Sequence, residues 1–161
     1  GNADVALQAC LALCKLAGHH TDNQGKIMAA GGLERIMTAM DIHTGNADVQ
    51  MQACGALYSL AHDNTDNQEK IVAAGGLKRI TVLMGTHKGK ADLTLACAAL
   101  SLLALRNADN QGKIMAGGGL ERIMEAMDTH KGDLAVQWTA CNALSALALD
   151  NTENQGKIIA A

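Results

Sequence analysis

The chain has 161 residues, which is enough to bury the core of one domain. Hydrophobic residues make up 48% of the chain, but it has only one Trp and one Tyr, and it has neither Phe nor Pro. Its abundant Ala, Leu, Met and Ile favour helices over a sheet sandwich or barrel, which draws on aromatic and β-branched residues. A net charge of −3 argues against nucleic-acid binding, and no apolar run is long enough to cross a membrane.

Residues 48–61 carry the clearest helical pattern of the chain. Their apolar side chains recur at the three- and four-residue spacing of one helical face, at Val49, Ala53, Ala56, Leu57 and Leu60. Asn46 stands where an N-cap is needed, and Asp48 places a carboxylate in the first turn. We therefore predict a helix that begins just after Asn46.

Two shorter helices and a corner follow this element along the chain. Residues 67–74 predict a short helix capped by Thr65 or Asp66. Gly75-Gly76 predicts a sharp corner, because glycine allows positive φ and close backbone approach. Residues 77–84 predict the next helix. No strand is left in this order of elements, which excludes a propeller.

The same order recurs about every 44 residues. Residues 1–44 and 45–88 are identical at 27 of 44 positions. Two further landmarks recur in steps of 44, 43 and 44, namely Cys10, Cys54, Cys97 and Cys141, and Asn23, Asn67, Asn110 and Asn154. The step of 43 reflects one residue lost between Gly89 and Cys97. A period of this length predicts a solenoid with one supersecondary unit per repeat.

The repeat resembles the armadillo repeat, which has three helices in roughly 40 to 47 residues. The resemblance lies in Asn-Gln-x-Lys-Ile-x-x-x-Gly-Gly-Leu for helices one and two, and Gly-Asn-Ala-Asp-Val-x-x-Gln-Ala-Cys-x-Ala-Leu-x-x-Leu-Ala for helix three. Two-helix HEAT repeats are the nearest alternative, and the short first helix favours armadillo. The resemblance implies an all-α armadillo-type α-solenoid, a right-handed superhelix of three-helix repeats, in a eukaryotic intracellular protein of the cytoplasm or nucleus.

We expect residues 1–161 to form a single armadillo array. Residues 1–17 are a third helix without its first two, and residues 153–161 are a first helix without the rest. Three complete units lie between them, at 22–61, 66–105 and 109–149. Neither end looks like a polar capping repeat, which isolated arrays normally need. We therefore expect a segment of a longer solenoid with uncovered apolar ends, capable of head-to-tail self-association through Leu7, Leu11, Leu13, Leu16, Ile158 and Ile159.

Neither cysteines nor histidines predict a metal or cofactor site. All cysteines except Cys14 share one position of the third helix, and helices about 8–10 Å apart keep them beyond disulfide distance. We interpret them as small buried side chains in a reducing compartment. The His19-His20 pair has no matching carboxylate or thiol. A histidine ladder follows each second helix, where a polar ring can pair with free carbonyls, at His43, His87 and His130.

No sequence pattern predicts catalysis, so we expect a non-enzymatic protein. Gly-x-Ser-x-Gly and His-Glu-x-x-His motifs are absent, and residues 117–119 repeat the helix corner without the Lys-Ser/Thr ending of a phosphate loop. The Asn ladder predicts a structural role, either capping or bridging to a neighbouring loop. Two basic ladders interleaved with acidic residues predict a solvated face, at Lys26, Lys70, Lys113 and Lys157, and at Arg35, Arg79 and Arg122.

The family resemblance implies that the third helices line a concave groove. Peptide-binding members carry a Trp there and, one turn later, an Asn that grips the peptide main chain. These paired positions correspond to Leu11 and Lys15, Gly55 and Ser59, Ala98 and Leu102, and Asn142 and Ala146. No unit has the Trp-then-Asn pair and the groove has few acidic residues, which argues against the basic peptides of nuclear import.

The groove combines apolar and small side chains, with charges toward one end. Its candidate residues are Leu7, Leu11, Lys15, Met51, Gly55, Ser59, Thr94, Ala98, Leu102, Arg106, Trp138, Asn142 and Ala146. A shallow apolar groove suits an amphipathic helix better than an extended strand. We therefore predict a scaffold that binds a protein or peptide partner. The alternative is a purely structural or self-associating spacer of a larger protein, with Leu7 and Leu11 packed only within the chain.

Trp138 is the candidate hot spot of this groove. Its equivalents in the other units are Leu7, Met51 and Thr94. A buried site would not readily accept residues of such different size. The helical pattern places Cys141 and Leu144 on the buried face and turns Trp138 and Asn142 away from it. The alternative is a Trp that lies half buried over the neighbouring helix.

Overall fold

The protein is described by a computed structural model for residues 1–18 and 20–161, and within these ranges it contains eleven α-helices and no strand. Four helices of 15 residues are the predicted third helices: α1 (Ala3–Ala17), α4 (Ala47–Ala61), α7 (Lys90–Ala104) and α10 (Leu134–Ala148). Four helices of nine residues are the first helices: α2 (Thr21–Ala29), α5 (Thr65–Ala73), α8 (Ala108–Ala116) and α11 (Thr152–Ala160). Three helices of 11 residues are the second helices: α3 (Gly32–Ile42), α6 (Gly76–Thr86) and α9 (Gly119–Thr129). Of the His19-His20 pair, His19 lies outside the described residues.

Five of the eleven described helices begin at a capping asparagine, and the sequence misassigned one of these caps. Asn46 caps α4 as predicted, because its side-chain oxygen accepts a hydrogen bond from the Val49 amide at 3.0 Å. The prediction of Thr65 or Asp66 for α5 is wrong: Asn64 accepts from the Asn67 amide at 3.1 Å. Thr65 is already the first helical residue, so only the residue before it can point its side chain back over the first turn.

The predicted Gly-Gly corner is confirmed. Gly75 has a φ of 81°, in the left-handed region that glycine adopts without strain, and Gly31 and Gly118 repeat it. Gly76 lies close to the preceding short helix: a methyl group there would be 2.6 Å from Ile71 Cγ2 and 2.8 Å from its carbonyl oxygen. The corner therefore needs glycine twice, once for its backbone angle and once for the close approach.

The four third helices lie side by side, and the shorter helices pack on one side of them. Each second helix packs on the third helix of its own unit, α3 on α4, α6 on α7 and α9 on α10. The core lies between these layers and is filled by large aliphatic side chains such as Ile36, Leu57, Ile80, Leu100 and Ile123. Burying each of these side chains contributes roughly 1.5–3 kcal/mol to the stability of the fold. Because the shorter helices cover only one side of the third helices, the opposite side faces solvent.

The Asn ladder has the structural role that the sequence predicted. Each side-chain amide nitrogen donates to a carbonyl oxygen near the end of the preceding third helix at 2.9 Å: Asn23 to Leu16, Asn67 to Leu60, Asn110 to Leu103 and Asn154 to Leu147. These oxygens lie in the last turn of a helix, where no further amide is available to bind them. The bond thus fixes the angle between one unit and the next.

The histidine ladder also joins neighbouring units. Nε2 of His87 lies 2.8 Å from the Thr44 carbonyl oxygen, and Nε2 of His130 lies 2.7 Å from that of Lys88. Each ring thus binds the carbonyl that follows the equivalent histidine of the preceding unit. The prediction that these rings pair with free carbonyls is confirmed for both.

The junctions between third helices are not equivalent. In two units a buried glutamine donates to carbonyls at the end of the unit's own third helix at 2.9–3.1 Å, Gln24 to Ser59 and His62, and Gln111 to Ala146 and Leu149. Gln68 of the middle unit instead donates to Ala61 of the preceding third helix at 3.0 Å. Correspondingly, α4 and α7 pack less extensively than α1 with α4 or α7 with α10.

Replacing Asn110 by Ala is expected to lower the free energy of unfolding by about 1–3 kcal/mol, because it leaves the buried Leu103 carbonyl without a donor. Urea unfolding followed by far-ultraviolet circular dichroism measures this. Gln155→Ala is the matched control, since Gln155 is exposed and its partner, the Ala148 carbonyl, can bind water. Equal losses in the two variants would contradict the role of the Asn ladder.

Candidate functional site

The solvent side of the third helices forms the candidate site, which we call the third-helix surface. On α7 its side chains are partly exposed and occur at one face, at Thr94, Leu95, Ala98, Ser101 and Leu102. Every other residue between 92 and 104 is buried. The spacing of one, three and four residues between the exposed positions gives a single stripe along the helix.

The structure leaves ten of the thirteen candidate residues partly or fully exposed: Leu7, Leu11, Lys15, Met51, Thr94, Ala98, Leu102, Arg106, Trp138 and Asn142. It buries Gly55, Ser59 and Ala146. Gly55 is covered because it has no side chain: a Cβ there would lie 3.6 Å from Cys14 Sγ on α1 and 3.8 Å from Leu95 Cδ1 on α7. These three positions therefore supply close packing between helices and no contact surface.

Three further side chains belong to this surface, although they were not among the candidates: Tyr58, Leu95 and Ser101. Each is next in sequence to a candidate residue. A helical face is wider than one row of residues four apart, so the neighbour of each row position also reaches it. The signal that would have found them is the full width of the stripe.

Tyr58 makes the middle junction different from its neighbours. Its equivalents are small and contact the next third helix: Cys14 Sγ lies 3.3 Å from Ser59 Oγ, and Ser101 Oγ donates to the Asn142 carbonyl at 3.3 Å. Tyr58 places an aromatic ring at this position and packs edge-on against His62, with ring centres 6.0 Å apart. A ring thus stands in place of a thiol or hydroxyl at the junction where α4 and α7 pack less extensively.

Trp138 is 69% exposed on α10, and the prediction that it faces away from the core is confirmed. The prediction that Cys141 lies on the buried face is wrong, since Cys141 is exposed. Its equivalents are buried because the next third helix covers them, at Cys10, Cys54 and Cys97. Among the described helices no third helix follows α10, so the covered side of this position is open.

The five cysteines are free thiols in different surroundings. Burial raises the pKa of Cys54 and of Cys97 to about 12, and it also raises the pKa of Cys10. Cys14 is partly exposed, so the interpretation of all five as buried side chains holds only for these three. A thiol held protonated by burial is inert, which leaves the reactive positions near the solvent side.

Charged side chains pair along the shorter helices. Arg79 makes two hydrogen bonds to Asp41 of the preceding second helix, at 2.6 and 2.8 Å, and the guanidinium lowers the pKa of that carboxyl. Within helices, Lys157 pairs with Glu153 at 2.7 Å. Among the described residues no cluster of three His, Cys, Asp or Glu side chains could hold a metal ion, and none of the described helices is long and apolar enough to span a bilayer.

No family model and no curated protein matches the chain, whereas several solved structures do. An engineered protein is 26% identical with a TM-score of 0.90, over 99% of this chain and 64% of its own. A designed armadillo repeat protein is 23% identical with a TM-score of 0.85, over 96% of this chain and 63% of its own. Another, solved in complex with the peptide (KR)4, is 20% identical with a TM-score of 0.82, over 99% of this chain and 70% of its own.

These similarities and the three-helix repeat confirm the predicted fold, an all-α armadillo-type α-solenoid. The chain spans less than two thirds of the length of the first two neighbours. At these identities the neighbours establish how the chain folds, and the third-helix surface must be interpreted from its own residues.

A thiol reagent such as dithionitrobenzoate is expected to modify Cys141 rapidly in the folded protein and to reach Cys54 and Cys97 only on unfolding. At pH 8 a thiol with a pKa of about 12 is ionised in only about one molecule in ten thousand, and the thiolate is the reactive form. Absorbance kinetics with and without urea measure this, and Cys141→Ser should abolish the fastest phase. Rapid native modification of Cys54 would contradict the packing of α4 with α7.

Proposed function

We propose that this chain is a non-enzymatic scaffold that binds a peptide or amphipathic helix on the third-helix surface. The observation that carries the proposal is Trp138, which is 69% exposed on α10, together with the partly exposed Leu95 and Leu102 on the neighbouring α7. Tryptophan is enriched among the few residues that dominate binding energy, and exposed apolar patches mark interaction sites. Trp138 is therefore the proposed hot spot.

The chemistry of the surface favours a ligand that presents an apolar stripe. One structural neighbour was solved with the peptide (KR)4, whose cations need acidic partners. Here the centre of the surface carries Leu, Met, Ala and Trp, and the charges at its end alternate in sign, at Asp63, Arg106 and Asp150. An amphipathic helix can lay its apolar face on such a surface, with its polar face toward solvent.

The same reasoning supports an intracellular setting for this interaction. Five free thiols, two of them not buried, would be exposed to oxidation outside a reducing compartment. Binding on this surface requires no cofactor, because side-chain packing supplies the contact.

A fluorescein-labelled amphipathic helix composed of Leu, Glu and Lys is expected to bind the protein saturably, with fluorescence anisotropy as the measurement. Trp138→Ala should weaken binding at least about tenfold, the loss typical of a hot-spot aromatic. Its free energy of unfolding should change by less than about 1 kcal/mol, since Trp138 is mostly exposed.

Val82→Ala is the matched control, because Val82 is also an exposed apolar residue but lies on α6, in the other layer. It should leave anisotropy unchanged. A loss of about 3–5 kcal/mol in Trp138→Ala would make Trp138 a core residue and contradict the hot spot. Binding that Trp138→Ala does not weaken would contradict the third-helix surface as the site. Stronger binding of the (KR)4 peptide than of the amphipathic helix would overturn the ligand class.

Head-to-tail association is a second candidate, supported by a stripe along α1. This stripe is exposed although its equivalents in α4 are fully buried: Val5, Ala9, Ala12 and Leu16 correspond to Val49, Ala53, Ala56 and Leu60. The opposite end of the array presents Leu134 and Cys141 on α10. A second copy could continue the packing that joins α7 to α10, because α10 presents the side that α7 uses.

Sedimentation velocity over a range of concentrations is expected to show association that Ala12→Glu abolishes, because a carboxylate would be buried between α1 and the α10 of another copy. Ala12 is exposed in the single copy, so the variant should fold normally. Val82→Glu, a charge placed on the exposed part of α6, should associate like the unchanged protein. A protein that stays monomeric at all concentrations would contradict this candidate. Leu134, Trp138 and Cys141 share one face of α10, so association would also cover the hot spot, and helix binding is therefore measured at concentrations where the chain is monomeric.

A further inference from the structure

A pocket of about 280 Å³ lies within the array, between the middle unit at 66–105 and the unit at 109–149. We call it the α6–α8 pocket, because most of its lining comes from these two helices. Four aliphatic side chains line it: Val72, Leu77, Leu100 and Ile114. Two cations, Lys78 and Lys113, line it as well. The pocket opens in the layer of the shorter helices and is therefore separate from the third-helix surface.

Three positions of this pocket hold a smaller residue than their equivalents in other units. Thr81 and Val72 stand where the other two complete units have Met, and Gly117 stands where the other corners have Ala. The larger equivalents are Met37 and Met124, Met28 and Met115, and Ala30, Ala74 and Ala161. The pocket thus coincides with a local departure from the repeat, and all three changes enlarge it.

The preceding junction shows the same place when it is filled. There Met37 is only 5% exposed, and its Cε would lie 3.3 Å from a Cβ placed on Gly76 of the following unit. Its equivalent Thr81 donates its hydroxyl to the Leu77 and Lys78 carbonyls of its own helix, at 2.8 and 3.0 Å. Leu77 is partly exposed, whereas its equivalents in α3 and α9 are buried. A methionine therefore occupies at one junction the space that a threonine leaves open at the next.

The charge of the site departs from the repeat as well. Lys78 stands where the other second helices have Glu34 and Glu121. Among the described residues Lys78 forms no ion pair, and the nearby carboxylate of Asp41 is already bonded twice to Arg79. Lys113 pairs with Asp109, which leaves further N–H donors on its ammonium group. The pocket therefore combines aliphatic walls with cations whose donors can bind an anion.

We propose that the α6–α8 pocket binds a small carboxylate with an aliphatic body of about eight carbon atoms. An apolar cavity of about 150 Å³ holds benzene, so a pocket of about 280 Å³ fits on the order of ten non-hydrogen atoms. The aliphatic chain packs among Val72, Leu77, Leu100 and Ile114. The carboxylate lies at the ammonium group of Lys78, where it gains a charge-assisted hydrogen bond.

Octanoate is the probe for this site, and isothermal titration calorimetry at concentrations where the chain is monomeric is the measurement. We expect saturable binding of one molecule per chain. Octanamide has the same chain with a neutral head group and should bind about tenfold more weakly. Octylamine should not bind, because its cation would meet those of Lys78 and Lys113.

Two variants restore the residue that the other units carry. Thr81→Met should abolish binding by filling the pocket, and its control is Thr86→Met, an exposed threonine of α6 that also bonds its own helix but lies outside the pocket. Lys78→Glu should weaken binding about tenfold, and since Lys78 is exposed the variant should fold normally. Its control is Lys26→Glu, which makes the same change of charge on α2, away from the pocket.

Nuclear magnetic resonance spectra of methyl groups locate the ligand. Octanoate should shift the resonances of Leu77 and Ile114 and leave those of Leu102, on the third-helix surface, in place. Binding should persist in Trp138→Ala, so the proposal can fail or hold independently of the function of that surface.

Four results would overturn the proposal. Octanoate might as well be absent if no saturable binding is measured, and octylamine that binds as tightly as octanoate would remove the role of the cations. Unchanged affinity in Thr81→Met would place the ligand outside the pocket. Binding that Trp138→Ala abolishes would place it on the third-helix surface.

Discussion

The side-chain amide of one asparagine per unit, bonded to a carbonyl of the preceding third helix, sets the geometry on which the rest of the structure depends. The bond occurs four times at 2.9 Å, and in three of the four cases it is buried. A second asparagine caps the same short helix and fixes where it begins, at Asn64, Asn107 and Asn151. Between third helix and cap stands a residue with positive φ, at Asp63, Arg106 and Asp150. At these three junctions the features together shape the turn from a third helix into the next short helix, and the third helices lie side by side.

The backbone repeats regularly, but the side chains between neighbouring third helices differ from one junction to the next. The third-helix surface differs with them. Where Cys14 and Ser101 face the next helix, packing is close and a buried glutamine links first and third helices. Where Tyr58 stands, that link is absent and Gln68 binds the preceding helix. Half-buried apolar side chains lie on this surface from α1 to α7, at Leu7, Leu11, Met51, Tyr58, Leu95 and Leu102.

The molecule offers apolar surfaces of two kinds, and each has a different relation to its own repeat. The third-helix surface faces away from the shorter helices, so the repeat provides no occupant for it and an external ligand is the natural one. The stripe on α1 matches a side that other third helices cover, which favours another copy.

The sequence by itself determined the repeat, the three helices of each unit, the glycine corner and the structural role of the Asn ladder, because these depend on local spacing and on side-chain chemistry that recurs in phase. It also placed Trp138 outside the core, since a buried site would not accept both Thr and Trp. Tertiary structure alone decided which side of each third helix is covered. Cys141 has the same local sequence pattern as Cys97 and yet is exposed, because burial depends on whether a further helix packs there. Likewise Gly55 is buried through Leu95 and Cys14, residues from two other helices, which no periodicity within α4 could reveal.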